Sequence, residues 1–475
     1  MKAKSRISLN NFSDAILLHI FSFLEVEDIA RLKAVSRRFQ TLCISTPSFS
    51  FSHNPRHSPN CSCLHVFNFM KTIPRQRPLD LKINLLSFSS YCMKSKHRKL
   101  HMRWLCRLFQ AFRVDQLSLK YELPSIFKSL PKFQSLKVLK LVMTEHCVSV
   151  KLPEIKLASL ETLHMEGIET QDLVGEWVSQ SFPSLKRLFL YDVNVPRVST
   201  KQLDLIIRSS CLEDLTLKRC CGFKSVRIIT DKLRALSYFN CRFCVNCVFG
   251  LKKHDEIVVE VSAPNLRSFT WDGPPARLCY DKMAFKSLHK ATITGIVFHN
   301  LNLGEQLFEA IRWVEILSLD TLVLKDLYGM PLISFGDVRY LEIQVKRKFF
   351  YNVDDVLTNF LKRISNLDIL ALAPDDYYEE PDPFDFKDAL RECKKTKWKK
   401  IKGLKKVKLA TGSMYFAIAF LIGMLKKSCV HMEEMTLIYP SCYHKSVERY
   451  LNCLESGSSS LSINLSPPNR KRKRC

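Results

Sequence analysis

An apolar motif recurs along most of this chain: one apolar residue is followed three positions later by a second and two positions later by a third. The central residues of the seven clearest copies stand between 21 and 33 residues apart. These copies are Val114, Leu117, Leu119; Leu136, Leu139, Leu141; Leu160, Leu163, Met165; Leu185, Leu188, Leu190; Leu212, Leu215, Leu217; Leu233, Leu236, Tyr238; and Leu266, Phe269, Trp271. A unit this short cannot bury its own apolar residues, so the repetition predicts units that stack on one another.

The motif and its spacing are typical of a leucine-rich repeat, which has a period of about 20–29 residues. The last two apolar residues are two positions apart, so they lie on one face of a short strand. Stacked units then form an apolar spine and a parallel sheet on the concave face of an α/β solenoid. An ordinary α/β domain with several Leu-rich strands is the alternative, and the near-constant period argues against it.

Weaker copies of the motif continue toward the C-terminus. They are Leu288, Ala291, Ile293; Val338, Leu341, Ile343; Leu367, Leu370, Leu372; Leu404, Val407, Leu409; and Met432, Met435, Leu437. Cys220 and Cys241 follow two of the strong copies, at the position where the longer repeat pattern has Asn or Cys. The segment 205–220, LIIRSSCLEDLTLKRC, is interpreted as helix, turn and strand, and it resembles the repeat of plant F-box leucine-rich-repeat proteins.

The N-terminal residues predict three short helices. Ser13 and Asp14 are a helix-capping signal, and apolar residues follow at helical spacing. Residues 25–28 interrupt that pattern, a second apolar stretch begins at Ile29, and Ser36 can cap a third helix. Such a small core is usually completed by a partner, so part of the apolar surface is expected to be an interface.

Residues 12–39 resemble an F-box, whose usual pattern has Pro and Trp where this chain has Ser13 and Phe39. The resemblance implies binding to a Skp-type adaptor, which links to cullin and a RING protein. It assigns the adaptor contact to Phe12, Ile16, Leu17, Ile20, Phe21, Leu24, Val35 and Phe39. The alternative is that these helices only cap the end of the solenoid.

The C-terminal part resembles the FBD-type region of plant F-box proteins. Residues 404–440 are interpreted as a strand, an apolar helix and a strand. The apolar stretch Met414–Leu425 has only twelve residues, whereas a membrane span needs about 20. We therefore expect a buried helix and no membrane association.

The predicted organisation has six parts. They are a basic lead at 1–11, an F-box at 12–50, a linker at 51–63, a leucine-rich-repeat solenoid at 64–403, FBD-like C-terminal repeats at 404–454 and a disordered basic tail at 455–475. No secretory signal is evident, so the 18 cysteines are expected to be reduced thiols.

The residues give no indication of catalysis. The chain has no phosphate-binding glycine loop, no H-E-x-x-H and no nucleophile elbow, and only 13 Gly. The run Cys241, Cys244, Cys247 lacks the fourth cysteine of a ferredoxin pattern, because Leu251 stands there, and Cys61 with Cys63 is a loose candidate. We therefore predict a non-enzyme with no metal and no cofactor.

Charge is the second strong signal. The formal net charge is +27, and the tail ends in a basic run that is either a nuclear-import signal or a solvated tail: Arg470, Lys471, Arg472, Lys473 and Arg474. A nuclear or cytoplasmic location is expected. Nucleic-acid binding stays an alternative, but no zinc finger, RRM or helix-turn-helix pattern in the sequence supports it.

The resemblance implies a substrate-recognition subunit of an SCF-type ubiquitin ligase, with a target protein bound by the repeats. Strand alternation places the candidate target contacts on the outward face: Lys140, His164, Glu166, Phe189, Tyr191, Lys218, Phe239 and Asp272. An irregular register would bury them instead. The alternatives are a repeat scaffold without ligase function and a nuclear nucleic-acid-binding protein.

Overall fold

The computed structural model describes part of the chain in detail. The described residues are 11–24, 26–46, 48–52, 78–84, 113–121, 134–143, 150–195, 203–241, 258–273, 276–280, 285–295, 301–331, 333–345, 353–374, 404–410, 433–438 and 462–466. They belong to two compact units. Unit 1 comprises Met1–Leu233 and Arg242–Asp255, and unit 2 comprises Arg234–Cys241 and Glu256–Cys475.

Unit 1 begins with the three predicted helices, α1 Asp14–Phe21, α2 Val26–Leu32 and α3 Arg37–Ser45. The predicted caps are present, since the Ser13 hydroxyl accepts a hydrogen bond from the Ile16 N–H at 3.4 Å and the Ser36 hydroxyl accepts one from the Phe39 N–H at 3.1 Å. Ser13 therefore supplies a helix cap where the F-box pattern usually has Pro.

The repeat motifs of unit 1 form one parallel sheet. Its strands are β1 Ser48–Ser52, β2 Pro78–Asn84, β3 Arg113–Tyr121, β4 Val138–Met143, β5 Thr162–Glu166, β6 Arg187–Tyr191 and β8 Asp214–Lys218. The central motif residues Leu139, Leu163, Leu188 and Leu215 are register partners across four strands. They are buried, so the predicted spine is confirmed here.

Unit 2 repeats the arrangement. Its strands are β10 Ala235–Phe239, β12 Ser268–Asp272, β14 Lys290–Thr294, β15 Ile316–Asp320, β16 Tyr340–Val345, β17 Ile369–Pro374, β18 Lys406–Ala410, β19 Glu434–Ile438 and β20 Ser462–Ser466. Each successive pair is parallel. Central motif residues again pair in register, as Phe269 does with Ala291. The fold class is therefore three helices followed by parallel-strand repeats.

The connections between repeat strands vary. Additional parallel pairs join β7 Leu203–Arg208 to β9 Phe223–Ile229 in unit 1, and β11 Val258–Ser262 to β13 Arg277–Tyr280 in unit 2. Helices occur elsewhere: α4 Val174–Ser181, α5 Leu301–Ile311, α6 Thr321–Tyr328 and α7 Val353–Leu361.

Three sequence predictions need correction. The helix predicted from Leu205 is strand β7, in which Leu205 and Ile207 are buried and alternate with more exposed neighbours. The predicted linker begins inside β1, which pairs with β2. The tail predicted to be disordered contains β20, because pairing with β19 supplies the backbone hydrogen bonds that its Ser-rich composition does not predict.

One repeat of unit 2 was not predicted. Val314, Leu317 and Leu319 carry the same motif, and all three are buried at β15. The apolar stretch Met414–Leu425 and the basic run 470–474 lie outside the described residues.

A charged row precedes most of the repeat strands of both units, with one residue immediately before each of β4, β5, β6, β8, β10, β12 and β14 to β19. In unit 1 the charged row is Lys137, Glu161, Lys186 and Glu213, and in unit 2 it is Arg234, Arg267, His289, Glu315, Arg339, Asp368, Lys405 and Glu433. Within each unit, the backbone N–H of every member after the first donates to the carbonyl of the member before it, at 2.7–3.1 Å. Neighbouring members are therefore about 4.8 Å apart.

The signs of the charged row mostly alternate, and neighbours form ion pairs. Glu161 lies 3.3 Å from Lys186, and Asp368 lies 3.3 Å from Arg339 and 3.5 Å from Lys405. These pairs are solvent-exposed, so each stabilises the fold by less than about 1 kcal/mol. The alternating signs also favour the native order of the strands, because pairing with a strand one repeat further along would bring like charges together.

Candidate functional site

The three N-terminal helices, α1 to α3, share a small apolar core. Leu17 and Phe21 of α1, Ile29 of α2, and Phe39 and Leu42 of α3 are buried. The Phe21 and Phe39 rings meet edge to face with centroids 5.8 Å apart. Three of the eight predicted adaptor contacts, Leu17, Phe21 and Phe39, are therefore buried in this core.

The other five predicted contacts are at the surface. Ile16 is 47% exposed and Val35 is 65% exposed, whereas Phe12, Ile20 and Leu24 are half-buried. Phe23 was not among the predicted contacts, although it matches the F-box pattern, and it is 74% exposed. Helix α1 ends at Phe21, so Phe23 lies in the following turn and projects away from the core. Phe23 is therefore a further exposed apolar residue of this region, in addition to Ile16 and Val35.

An ion pair connects the first and third helices. The Arg38 guanidinium donates to Asp14 Oδ1 from Nε at 2.9 Å and from Nη2 at 2.7 Å, and Nη2 also donates to the Phe12 carbonyl at 2.6 Å. Two guanidinium N–H groups that converge on one carboxylate oxygen fix the orientation of the pair more firmly than a single contact does. The F-box residues Asp14 and Arg38 thus have a structural role.

The second candidate surface is the outward face of the repeat sheet in unit 1. Lys140, His164 and Phe189 are register partners on β4, β5 and β6. Glu166, Tyr191 and Lys218 form the adjacent line across β5, β6 and β8. All six side chains are at least partly exposed, so the register that would have buried them does not occur. We call these six residues the aromatic patch.

His164 is at the centre of the aromatic patch. Its Nε2 lies 3.2 Å from Glu166 Oε2, and its ring lies 4.8 Å from Tyr191 and 6.0 Å from Phe189, measured between centroids. Burial lowers the His164 pKa, the hydrogen bond to Glu166 opposes that shift, and the nearby Lys140 charge adds to it. His164 is therefore mainly neutral at pH 7.

The aromatic rings are held by their neighbours. Lys218 Nζ lies 5.6 Å from the Tyr191 ring centroid, and the Phe189 and Tyr191 centroids are 6.4 Å apart. Partly exposed rings with adjacent charges of both signs suit a protein segment with apolar and polar side chains. The last two predicted contacts, Phe239 and Asp272, are partly exposed register partners on β10 and β12 of unit 2.

The cysteines after the strands have structural contacts. The Cys220 thiol donates to the Leu190 carbonyl at 3.3 Å, and the Cys241 thiol donates to the Phe239 carbonyl at 3.5 Å. Cys61, Cys63, Cys244 and Cys247 lie outside the described residues. In the described part of the chain, no group of His, Cys, Asp or Glu side chains could hold a metal ion. No helix among those residues is long and apolar enough to cross a membrane.

Comparison with known proteins gives two family matches. Residues 159–462 match the family described as At1g61320/AtMIF1, LRR domain, and residues 14–49 match the F-box-like family.

Three relatives from Arabidopsis thaliana are similar to this chain. F-box/LRR-repeat protein At2g42720 is 23% identical over 78% of this chain and 79% of its own length. The putative F-box/LRR-repeat protein At3g58920 is 25% identical over 49% of this chain and 53% of its own length. The putative F-box/FBD/LRR-repeat protein At3g59240 is 25% identical over 34% of this chain and 33% of its own length.

Proposed function

Because this chain belongs to the leucine-rich-repeat family described as At1g61320/AtMIF1, LRR domain, we propose that it is the substrate-recognition subunit of a Skp–cullin–F-box ubiquitin ligase. The F-box would bind a Skp-type adaptor, and the repeats would bind a target protein. The observation that carries this proposal is the apolar surface of the F-box helices beside a long repeat sheet.

The exposed residues of the F-box support adaptor binding. Ile16, Phe23 and Val35 are large apolar side chains that a monomer would leave in water. Burying such a side chain stabilises a complex by about 1.5–3 kcal/mol. The half-buried Ile20 and Leu24 extend the same apolar surface.

The proposed role in the reaction is non-catalytic. The adaptor would connect the chain to cullin and a RING protein, and the aromatic patch would hold the target. The rate of ubiquitin transfer would then rise through proximity and orientation. We further propose that the basic run Arg470–Arg474 directs the protein to the nucleus.

The direct test is binding of the full chain to a purified Skp-type adaptor by isothermal titration calorimetry. The double variant Phe23→Asp with Val35→Asp places two charges on exposed positions, so the helices should stay folded. We expect binding to weaken at least 100-fold, because each charge would be buried without a partner in the complex.

The matched control is Ile229→Asp, which makes the same kind of change at an exposed apolar position on β9. Its affinity for the adaptor should equal that of the parent chain. If the folded parent does not bind the adaptor, the ligase proposal is wrong and a repeat scaffold remains. If both variants bind like the parent, the F-box contacts are elsewhere.

A further inference from the structure

The alternating signs of the charged row in unit 2 are interrupted at its start, where Arg234, Arg267 and His289 follow one another without an acidic member between them. Arg234 and Arg267 are consecutive members, and the Arg267 N–H donates to the Arg234 carbonyl at 2.8 Å. Both side chains are exposed. Neither has an ion pair within the described ranges. The exposed Lys290, whose N–H donates to the Arg267 carbonyl at 2.9 Å, adds a third positive charge.

This interruption contrasts with the rest of the charged row in unit 2. The next member, His289, lies 3.0 Å from Glu315, and Arg339 and Lys405 both contact Asp368. Two adjacent guanidinium groups repel each other and weaken the pairing of their strands. An acidic ligand between them would remove that repulsion, so the interruption favours binding of a carboxylate.

A groove lies beside the interruption in the same unit. It encloses about 370 Å³, and its lining includes Lys286, His289, Trp313, Glu315 and Arg339. The Trp313 indole is 57% exposed. The Arg312 guanidinium lies 4.4 Å from the Trp313 ring centroid and is itself held 2.9 Å from Glu309. An exposed tryptophan held in place at the edge of a groove is a typical anchor for an apolar side chain.

The spacing fits an extended peptide. Arg234 and Arg267 precede neighbouring strands, so their backbones are about 4.8 Å apart, and Trp313 lies about two strands beyond Arg267. About three residues of an extended chain cover that second distance. A peptide with two acidic residues, a short neutral spacer and an aromatic residue would therefore reach all three side chains.

A peptide suits the groove better than a nucleic acid does. The groove lining contains the carboxylates of Glu315 and Asp337 between its basic residues. A nucleic acid carries a negative phosphate at every nucleotide and would be repelled at those positions. A peptide can place a neutral residue there.

We propose that this surface docks an extended acidic segment of a partner protein, with carboxylates on Arg234 and Arg267 and an aromatic side chain against Trp313. The site lies at the start of strands of unit 2 and is distinct from the aromatic patch, which is on the outward face of strands of unit 1. It does not depend on adaptor binding by the F-box.

The test is fluorescence anisotropy with the full chain and a fluorescein-labelled peptide, Glu-Asp-Gly-Ser-Gly-Phe. The matched neutral peptide is Gln-Asn-Gly-Ser-Gly-Phe. Arg267→Glu restores alternating signs in the charged row, so the acidic peptide should bind at least tenfold more weakly. The melting temperature should be equal or higher, because the introduced carboxylate lies between Arg234 and His289. A variant whose fold is destabilised by the substitution would instead melt at a lower temperature than the parent.

Two controls make the result specific. Arg277→Glu changes the net charge equally at an exposed position on β13, and it should leave the affinity within twofold. Trp313→Ala should weaken binding of the acidic peptide several-fold. This loss of affinity should disappear when Gly replaces the phenylalanine of the peptide.

Three results would overturn the proposal. One is equal loss of affinity in Arg267→Glu and Arg277→Glu, and another is equally tight binding of the neutral peptide. The third is tighter binding of a single-stranded oligonucleotide than of the peptide, if that binding is lost in Arg267→Glu. This result would assign the surface to nucleic acid. Adaptor binding by Arg267→Glu should equal that of the parent, so failure here is distinguishable from failure of the proposed function.

Discussion

Removal of one carboxylate is expected to loosen two separate segments of unit 2. Asp320 is fully buried at the end of β15 and caps α6. Its Oδ1 accepts a hydrogen bond from the Val323 N–H at 2.9 Å, and its Oδ2 accepts one from the Gly295 N–H at 2.8 Å. Gly295 follows β14, so a single side chain holds a helix start and a neighbouring turn.

The cost of Asp320→Ala follows from these two bonds. Loss of a helix cap costs about 1 kcal/mol, and leaving the Gly295 N–H without its acceptor costs about 1–3 kcal/mol. The local stability should therefore fall by about 2–4 kcal/mol. Asp320→Asn keeps one acceptor oxygen and should lose about half as much, because its amide nitrogen cannot accept from the second N–H.

Hydrogen–deuterium exchange with mass spectrometry measures this effect directly, since it reports local opening. Exchange of the α6 amides and of the turn at Gly295 should accelerate about 30- to 1,000-fold, because each 1.4 kcal/mol is a factor of ten. Asp337→Ala, at an exposed position in the same unit, is the control and should leave both segments unchanged. Exchange within threefold of the parent at both segments would refute the reasoning.

The remaining predictions concern pH, thiol reactivity and the aromatic patch. Burial lowers the His164 pKa below the 6.5 of the unfolded chain, so the contribution of His164 to stability is intact above pH 6.5 and is lost as pH drops through the folded pKa. The difference in melting temperature between pH 7.5 and pH 5.5 should therefore be smaller for His164→Gln than for the parent. An unchanged difference in melting temperature would contradict the assignment. Burial raises the Cys43 pKa to about 11, so iodoacetamide at pH 8 should modify the half-buried Cys211 before Cys43, as peptide mapping would show. Tyr191→Ala should lower the free energy of unfolding by about 1–2 kcal/mol, because the contacts of the ring with its aromatic neighbours and with Lys218 are lost. The variant should bind the target more weakly and still melt cooperatively. Insolubility of that variant would argue against a surface role.

The repeat architecture could be predicted because its signal is local and strong. Leu185, Leu188 and Leu190 define a strand and its buried face by spacing alone, and all three are buried. The repeat at Val314 carries the same signal and was overlooked, although its central residue lies 26 positions after Ala291. The Ser-rich strand β20 has no apolar pattern that would predict a strand, because it depends on pairing with β19.

The candidate surfaces were harder to predict, for a different reason. Helical periodicity marks Leu17 and Ile16 alike, and only the packing of α1 against α3 separates the buried residue from the exposed one. Strand alternation did place Phe189 and Tyr191 on the outward face. Their contacts with His164 depend on the register between strands, which spacing within one strand does not determine.

The charged row has a consequence for how a chain of this kind can grow. Its signs repeat every two units, as in Glu315, Arg339, Asp368, Lys405 and Glu433. Duplication of one repeat would place like charges on neighbouring strands, whereas duplication of an adjacent pair would keep every neighbour opposite in sign. The pair of repeats, rather than the single repeat, is therefore the unit in which such a solenoid can lengthen without electrostatic cost. The first three members of the described row of unit 2, Arg234, Arg267 and His289, depart from this alternation.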